Sequence, residues 1–153
     1  MNSEDPTPIS NSGSSHSPWR DALATAAATD VGMRRSSNQD SFCVSLAEDR
    51  EHWERAGHLL MVADGMGAHA AGELASRLSV DLVPHHFAKL NRGDPARALL
   101  QAMEEANQEI YRRGQANPEF RNMGTTTSSL LLLPLGAVVR PKSSECVATS
   151  HQS

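Results

Sequence analysis

The sequence has no basic excess and no long apolar run. Among its 153 residues, 14 Lys and Arg stand against 18 Asp and Glu, giving a formal net charge of -4. This balance argues against a nucleic-acid-binding protein, which normally shows a basic stripe or patch. No apolar segment approaches the roughly 18 residues that cross a bilayer, and the N-terminus lacks the basic-then-apolar pattern of a secretory signal. We therefore expect no nucleic-acid partner, no membrane partner and a cytoplasmic location.

Cysteine is also scarce. Cys43 and Cys146 lie far apart and show no metal-ligand spacing. Free thiols in a reducing compartment are favoured over a disulfide between them.

The composition divides the chain into three segments. Residues 1–20 are rich in Ser, Pro, Asn and Gly. They bury too little apolar surface to offset the entropy of ordering, which predicts a disordered leader. Residues 21–139 contain the periodic patterns of a globular body. Residues 140–153 are polar and aperiodic, and we interpret them as a tail foreign to that body.

Strand patterns occupy the first part of the body. We interpret residues 23–29 and 41–48 as two antiparallel strands, although the small residues of the first also suit a helix. Residues 48–57 predict a charged connection. The continuous apolar run at residues 58–63 predicts a strand buried on both faces, with Asp64 at its C-terminal end.

Two helices are expected next. Apolar residues recur at three- and four-residue spacing over residues 68–90, and Pro84 should kink or split this helix. The second helix begins with Asp94 as the N-cap and Pro95 at the first position, and Gly114 is its predicted C-cap.

A hairpin follows the helices. Residues 125–134 and 136–139 predict two strands joined by a turn that includes Pro134 and Gly136.

A carboxylate followed by Gly-Met-Gly marks the junction between the apolar strand and the first helix. The oxygen of Asp64 and the backbone carbonyl of Gly65 are suitable ligands for a hard cation such as Mg²⁺ or Mn²⁺. A plain turn is the alternative, and this stretch alone favours it.

A second polar segment precedes it in the sequence. Arg35 belongs to the residue type that binds phosphate through two parallel hydrogen bonds, and Asp40 adds another carboxylate. A solvated turn is again the simpler alternative for this segment alone.

Three segments in this order resemble a known family. They are "TDVGMRRSSNQDSF", "LLMVADGMGAHAAGELAS" and "MGTTTSSLLLL". Together they are similar to the N-terminal half of the metal-dependent serine/threonine protein phosphatases of the PPM or type 2C family, bacterial type, over residues 24–139. The resemblance implies an α+β fold. It would be part of an α-β-β-α sandwich, with two antiparallel sheets flanked by helices and the C-terminal half missing.

The resemblance also implies roles for individual residues. Arg35 matches the phosphate-binding arginine of the family. Asp64 matches the aspartate that bridges two Mg²⁺ or Mn²⁺ ions, and Gly65 matches the glycine whose carbonyl binds one of them. Asp40 matches an aspartate that supports the metal–water cluster. Gln39 stands where many members have glutamate, which removes a charge beside the second metal.

The implied activity is hydrolysis of phosphoserine and phosphothreonine on protein substrates by a water that two metal ions activate. A phosphorylated protein and an opposing Ser/Thr kinase are the expected partners. Later aspartates of the family have no counterpart here, so we expect a truncated or frame-shifted phosphatase of weak or no activity. Two alternatives stay open: a catalytically dead member acting as a binding or regulatory module, and an unrelated α/β protein whose motifs are turns.

Overall fold

The computed structural model describes residues 23–31, 33, 37–67 and 70–144, without the side chains of residues 141–144. The expected leader at residues 1–20, Arg35 and Cys146 lie outside this part of the chain. The described strands form one four-stranded antiparallel sheet in the order β1-β2-β3-β4.

The elements alternate between strands and helices before closing with a hairpin. In chain order they are β1 Asp40–Ser45, α1 Arg50–Ala56, β2 His58–Met66, α2 Ala70–Leu90, α3 Pro95–Ala116, a 3-10 turn Pro118–Phe120, β3 Gly124–Leu133 and β4 Gly136–Ser144. The expected α+β class, with an antiparallel sheet flanked by helices, is confirmed. The described residues contain one of the two sheets of the expected sandwich.

One face of the sheet packs against the helices. Leu59 and Met61 of β2 and Leu131 of β3 are buried there against Val83 and Phe87 of α2. The predicted apolar stripe of α2 is confirmed. Its members are buried or half-buried at Ala71, Leu74, Ala75, Leu78 and Leu82.

The opposite face of the sheet is open in the described structure. The prediction that residues 58–63 form a strand buried on both faces is therefore wrong, because Val62 is 60% exposed. In β1, Phe42 and Val44 also lie on this open face, while Ser41 and Cys43 point toward the helices. Burying only one face is the usual condition of an antiparallel sheet.

Two expectations about the first part of the body are corrected. Residues 23–29 form neither a strand nor a helix, and they run as irregular chain. The connection at residues 48–57 contains α1, whose N-cap Asp49 accepts a hydrogen bond from the backbone N–H of His52 at 2.7 Å. This helix has seven residues and buries only Ala56. A helix that buries one residue needs no repeating apolar face, and the sequence therefore shows no helical periodicity to recognise.

The long helices differ from expectation at two points. Helix α2 runs through Pro84 without a break. Helix α3 begins as predicted, because the side chain of Asp94 accepts the N–H of Arg97 at 3.0 Å. It continues past the predicted cap at Gly114, which is buried inside it, and ends at Ala116.

The predicted hairpin is confirmed. Strand β3 pairs with β4 from Leu133↔Gly136 to Thr125↔Ser144. Strand β4 therefore extends beyond Val139 into the segment that was interpreted as a tail.

None of the helices in the described part of the chain is both long and apolar enough to span a membrane.

Candidate metal centre

Two carboxylates face each other at one edge of the open sheet face. Asp40 of β1 and Asp64 of β2 are direct cross-strand partners, and both are exposed. The N–H of Gly65 donates to the carbonyl of Gln39 at 3.0 Å. Hydrogen-bonded and non-hydrogen-bonded pairs alternate along an antiparallel ladder, so the neighbouring Asp40–Asp64 pair is non-hydrogen-bonded. Such pairs hold their side chains closest, with Cα atoms about 4.5 Å apart.

This arrangement is electrostatically unfavourable without a counter-charge. Like charges placed directly opposite on neighbouring strands destabilise a sheet. On its other side, Asp64 pairs with Thr126 of β3, so the three residues lie side by side across the sheet. Asp40, Asp64 and Thr126 line an open cavity of about 260 Å³, which Thr29 and Ser128 also border. A divalent cation in this cavity would turn the repulsion into attraction.

The backbone beside Asp64 is held by a buried threonine. Thr125 is fully buried, and its hydroxyl donates to the carbonyl of Asp64 at 2.9 Å. Asp64 does not end its strand as predicted, because β2 continues to Met66. Strands β1 and β3 therefore both hold the backbone of Asp64.

Gly65 lies where three backbones meet. A Cβ at this position would stand 2.1 Å from the carbonyl oxygen of Gly72 in α2 and 2.7 Å from that of Gln39. Only glycine permits this approach. Sequence reasoning singled out Gly65 but missed Gly72, although a glycine in the first turns of a helix was an available signal.

The structure thus brings together Asp40, Asp64 and Gly65. Arg35 lies outside the described residues, so its role stays a prediction. No group of three or more His, Cys, Asp or Glu side chains suited to a metal ion occurs in the described ranges. The donors found here are two carboxylates with nearby backbone and hydroxyl oxygens.

The environment of the described cysteine disfavours a nucleophilic role. Cys43 is free and half-buried. Burial, and to a lesser extent the negative charge of Asp81, raises the pKa of its thiol above the ordinary value. A raised pKa disfavours the reactive thiolate.

Known proteins resemble this chain over most of its described length. The sequence profile of the family described as Protein phosphatase 2C matches residues 33–140, which run from before β1 into β4 and include both carboxylates. The chain belongs to the protein phosphatase 2C family. The resemblance inferred from three short segments is thereby confirmed.

Individual family members show how far the similarity extends. The chain is 34% identical over 109 residues to the serine/threonine protein phosphatase PstP of Mycobacterium tuberculosis. The matched region covers 71% of this chain and 19% of PstP. It is 34% identical over 114 residues to the protein phosphatase PhpP of Streptococcus pneumoniae, covering 72% of this chain and 43% of PhpP.

Solved structures of this family also match. The phosphatase MsPP of Mycobacterium smegmatis, in complex with cacodylate, superposes with a TM-score of 0.61 at 27% identity, over 78% of this chain and 45% of MsPP. The catalytic domain of PstP with two manganese ions superposes with a TM-score of 0.53 at 34% identity, over 69% of this chain and 41% of that domain. The chain spans less than half the length of these relatives.

Proposed function

We propose that this chain supplies part of the metal centre of a protein phosphatase that hydrolyses phosphoserine and phosphothreonine on proteins with Mg²⁺ or Mn²⁺. The observation that supports the proposal most strongly is the direct pairing of Asp40 with Asp64 across β1 and β2. The relative PstP is named a serine/threonine protein phosphatase, and its catalytic domain was solved with two manganese ions.

The donor set suits hard divalent cations. Asp40 and Asp64 offer carboxylate oxygens, Gly65 offers a backbone carbonyl, and oxygen is the ligand atom that Mg²⁺ and Mn²⁺ prefer. Bound divalent ions lower the pKa of coordinated water and so supply a nucleophile near neutral pH.

The residues of the chain would act as follows. Asp64 and Asp40 concentrate negative charge at one point of the open cavity. Thr125 keeps the backbone of Asp64 in place. Arg35, by its type and position in the motif, would hold the phosphoryl oxygens through two parallel hydrogen bonds. A phosphorylated protein is the proposed substrate, and a Ser/Thr kinase is the proposed opposing partner. A cytoplasmic location stays a prediction of the sequence.

A second candidate is a catalytically inactive module that binds metal or regulates a partner. It is favoured by the ligand count, because the described residues place two carboxylates at the site and no cluster of three metal-binding side chains. Such a module would bind Mn²⁺ without turning over phosphate esters.

Hydrolysis of p-nitrophenyl phosphate and of a phosphothreonine peptide tests the proposal. We expect Mn²⁺ to stimulate a weak hydrolysis, a chelator to abolish it, and Asp64→Asn to lower it to the rate without Mn²⁺, because a metal ligand is lost. The exposed Asp81→Asn on α2 removes the same charge elsewhere and should leave the rate unchanged. Activity that survives Asp64→Asn would contradict the phosphatase proposal. Mn²⁺ binding without any hydrolysis would favour the inactive module.

A further inference from the structure

Gln39 contacts the Gly65–Gly67 loop, which consists of the last two residues of β2 and the glycine that follows them, in two places. Its backbone carbonyl accepts the N–H of Gly65 at 3.0 Å. Its side-chain Nε2 donates to the carbonyl of Gly67 at 3.3 Å. Gln39, which directly precedes β1, therefore holds both ends of the Gly65–Gly67 loop.

The same side chain also contacts helix α2. A Cβ built on Gly72 would stand 3.0 Å from Cδ and 3.1 Å from Oε1 of Gln39, so the amide group lies against the backbone of that helix. Gly72 in turn lies against Gly65. Gln39 thus joins the start of β1, the Gly65–Gly67 loop at the end of β2 and the first turns of α2 at one point.

The contact to Gly67 needs a hydrogen-bond donor. A carbonyl oxygen accepts only, and the Gln side chain supplies an N–H₂ group that an ionised Glu of the same shape lacks. The amide is therefore matched to the loop in a way that a carboxylate is not.

We propose that Gln39 is a positioning residue for the metal centre, which clamps the Gly65–Gly67 loop so that the Gly65 carbonyl is held beside Asp64 before a cation binds. This inference rests on the proposed function, in that the site binds divalent cations. It assigns no direct contact between Gln39 and the cation. Preorganising the loop would raise affinity by reducing the ordering cost of binding.

Amide hydrogen exchange in the metal-free chain tests the clamp directly. Gln39→Met and Gln39→Glu both remove the donor, one without and one with a new charge. Losing a hydrogen bond of ordinary strength should speed exchange at Gly65, Met66 and Gly67 by about 2- to 10-fold in both variants. The amide of Ser129 in the middle of β3 should be unaffected. The matched control Gln115→Glu, at an exposed position of α3, should leave all these rates unchanged.

Mn²⁺ affinity provides the second measurement. We expect Gln39→Met to weaken Mn²⁺ binding by about 2- to 10-fold, because the loop is no longer held before the ion arrives. Unchanged loop exchange in Gln39→Met would overturn the inference. Equal acceleration at Ser129 would also overturn it, because Gln39 would then stabilise the fold as a whole.

The two proposals fail in different ways. If Gln39 is not a clamp, loop exchange stays unchanged while Mn²⁺ binding still depends on Asp64. If the site is not a metal centre, Asp64→Asn binds Mn²⁺ as well as the wild-type chain does, while loop exchange is still faster in Gln39→Met.

Discussion

At the scale of single residues, the candidate site combines repulsion with close packing. Asp40 and Asp64 place two negative charges opposite each other, and Gly65 beside them lies in backbone contact with Gly72 and Gln39. The neighbouring glycine contacts leave little freedom for the backbone next to the carboxylates. Geometry at the site is therefore set by backbone packing.

Gly65→Ala should strongly destabilise the fold. The added Cβ would meet backbone atoms that cannot rotate away, so we expect a loss of about 3 kcal/mol in the free energy of unfolding. The matched control is Gly93→Ala, where a Cβ has nothing within 4 Å. The control should cost about 1–2 kcal/mol, from its positive φ alone. Urea unfolding measures both, and equal losses would contradict the packing argument.

The sequence predicted part of this site. Asp64 and Gly65 stood out because a carboxylate and glycines followed an apolar run, and Asp40 and Arg35 because of their order in a family pattern. The pairing of Asp40 with Asp64 depends on strand register, and the roles of Gly72 and Gln39 depend on where α2 crosses the sheet. Those are long-range relations that no local pattern contains.

At the scale of elements, pairs of hydroxyl groups join α2 to the sheet. Ser76 contacts Ser41 of β1 at 3.0 Å, and Ser79 contacts Thr127 of β3 at 2.9 Å. Ser76, Ser79 and Thr127 are buried. Because buried hydroxyls must find partners, these pairs fix the position of the helix over the sheet.

Removing one hydroxyl of a pair should cost more than removing both. Ser79→Ala leaves the Thr127 hydroxyl buried without its partner, and we expect a loss of about 1–3 kcal/mol in the free energy of unfolding. The double variant Ser79→Ala with Thr127→Val replaces both groups by apolar ones and should recover most of that loss. A double-mutant cycle by urea unfolding measures the coupling. Strictly additive effects would mean that the two hydroxyls do not stabilise each other.

A buried histidine at the other end of β2 should make stability depend on pH. Nδ1 of His58 accepts a hydrogen bond from the N–H of Ala47 at 2.9 Å, so Nδ1 carries no proton. Burial, and secondarily the charge of His52, lowers the pKa of His58 below its ordinary value of 6.5. The unfolded chain therefore binds more protons, and the free energy of unfolding falls as the pH drops from about 7 through 6.5 toward the lower folded pKa.

His58→Asn tests this dependence. Asn places an acceptor near the position of Nδ1 and does not titrate, so the decline in stability between about pH 7 and about pH 5 should be shallower. Urea unfolding at several pH values provides the measurement. The control His85→Asn, at an exposed position of α2, should keep the wild-type slope. An unchanged slope in His58→Asn would show that His58 does not cause the effect.

Element types were predictable to different degrees. The long helices followed from apolar periodicity and the N-cap of α3, and the hairpin followed from its turn residues. Helix α1 was missed because it is short and buries only Ala56. Strand β2 was predicted correctly as a strand, but one of its faces is open, since an apolar run does not say whether a second layer covers it.

At the scale of the whole molecule, the open sheet face is the main feature. Phe42, Val62 and Val139 are 44%, 60% and 64% exposed on it, and α1, α2 and α3 lie on the other side. The relatives PhpP and MsPP are more than twice as long as the parts of them that this chain matches. An apolar face of this kind favours association.

We expect the isolated chain to self-associate through this face. Val139→Lys places a charge on the exposed β4 strand and should shift the chain toward monomer, since lysine on edge strands opposes pairing. Sedimentation velocity over a range of concentrations measures the shift. The control Val31→Lys makes the same change in irregular chain and should have no effect. A wild-type chain that is monomeric at every concentration would contradict this prediction.

The central claim is that Asp40 and Asp64 form a site for divalent cations. Its most direct test is a Mn²⁺ titration of the chain followed by electron paramagnetic resonance, with Asp64→Asn, Asp40→Asn and the control Asp81→Asn. We predict that each change at the site weakens Mn²⁺ binding at least about tenfold. The cation loses a carboxylate ligand, and its binding no longer relieves repulsion between two carboxylates. The control should bind like the wild-type chain. Equal Mn²⁺ affinity in all four proteins would contradict the account.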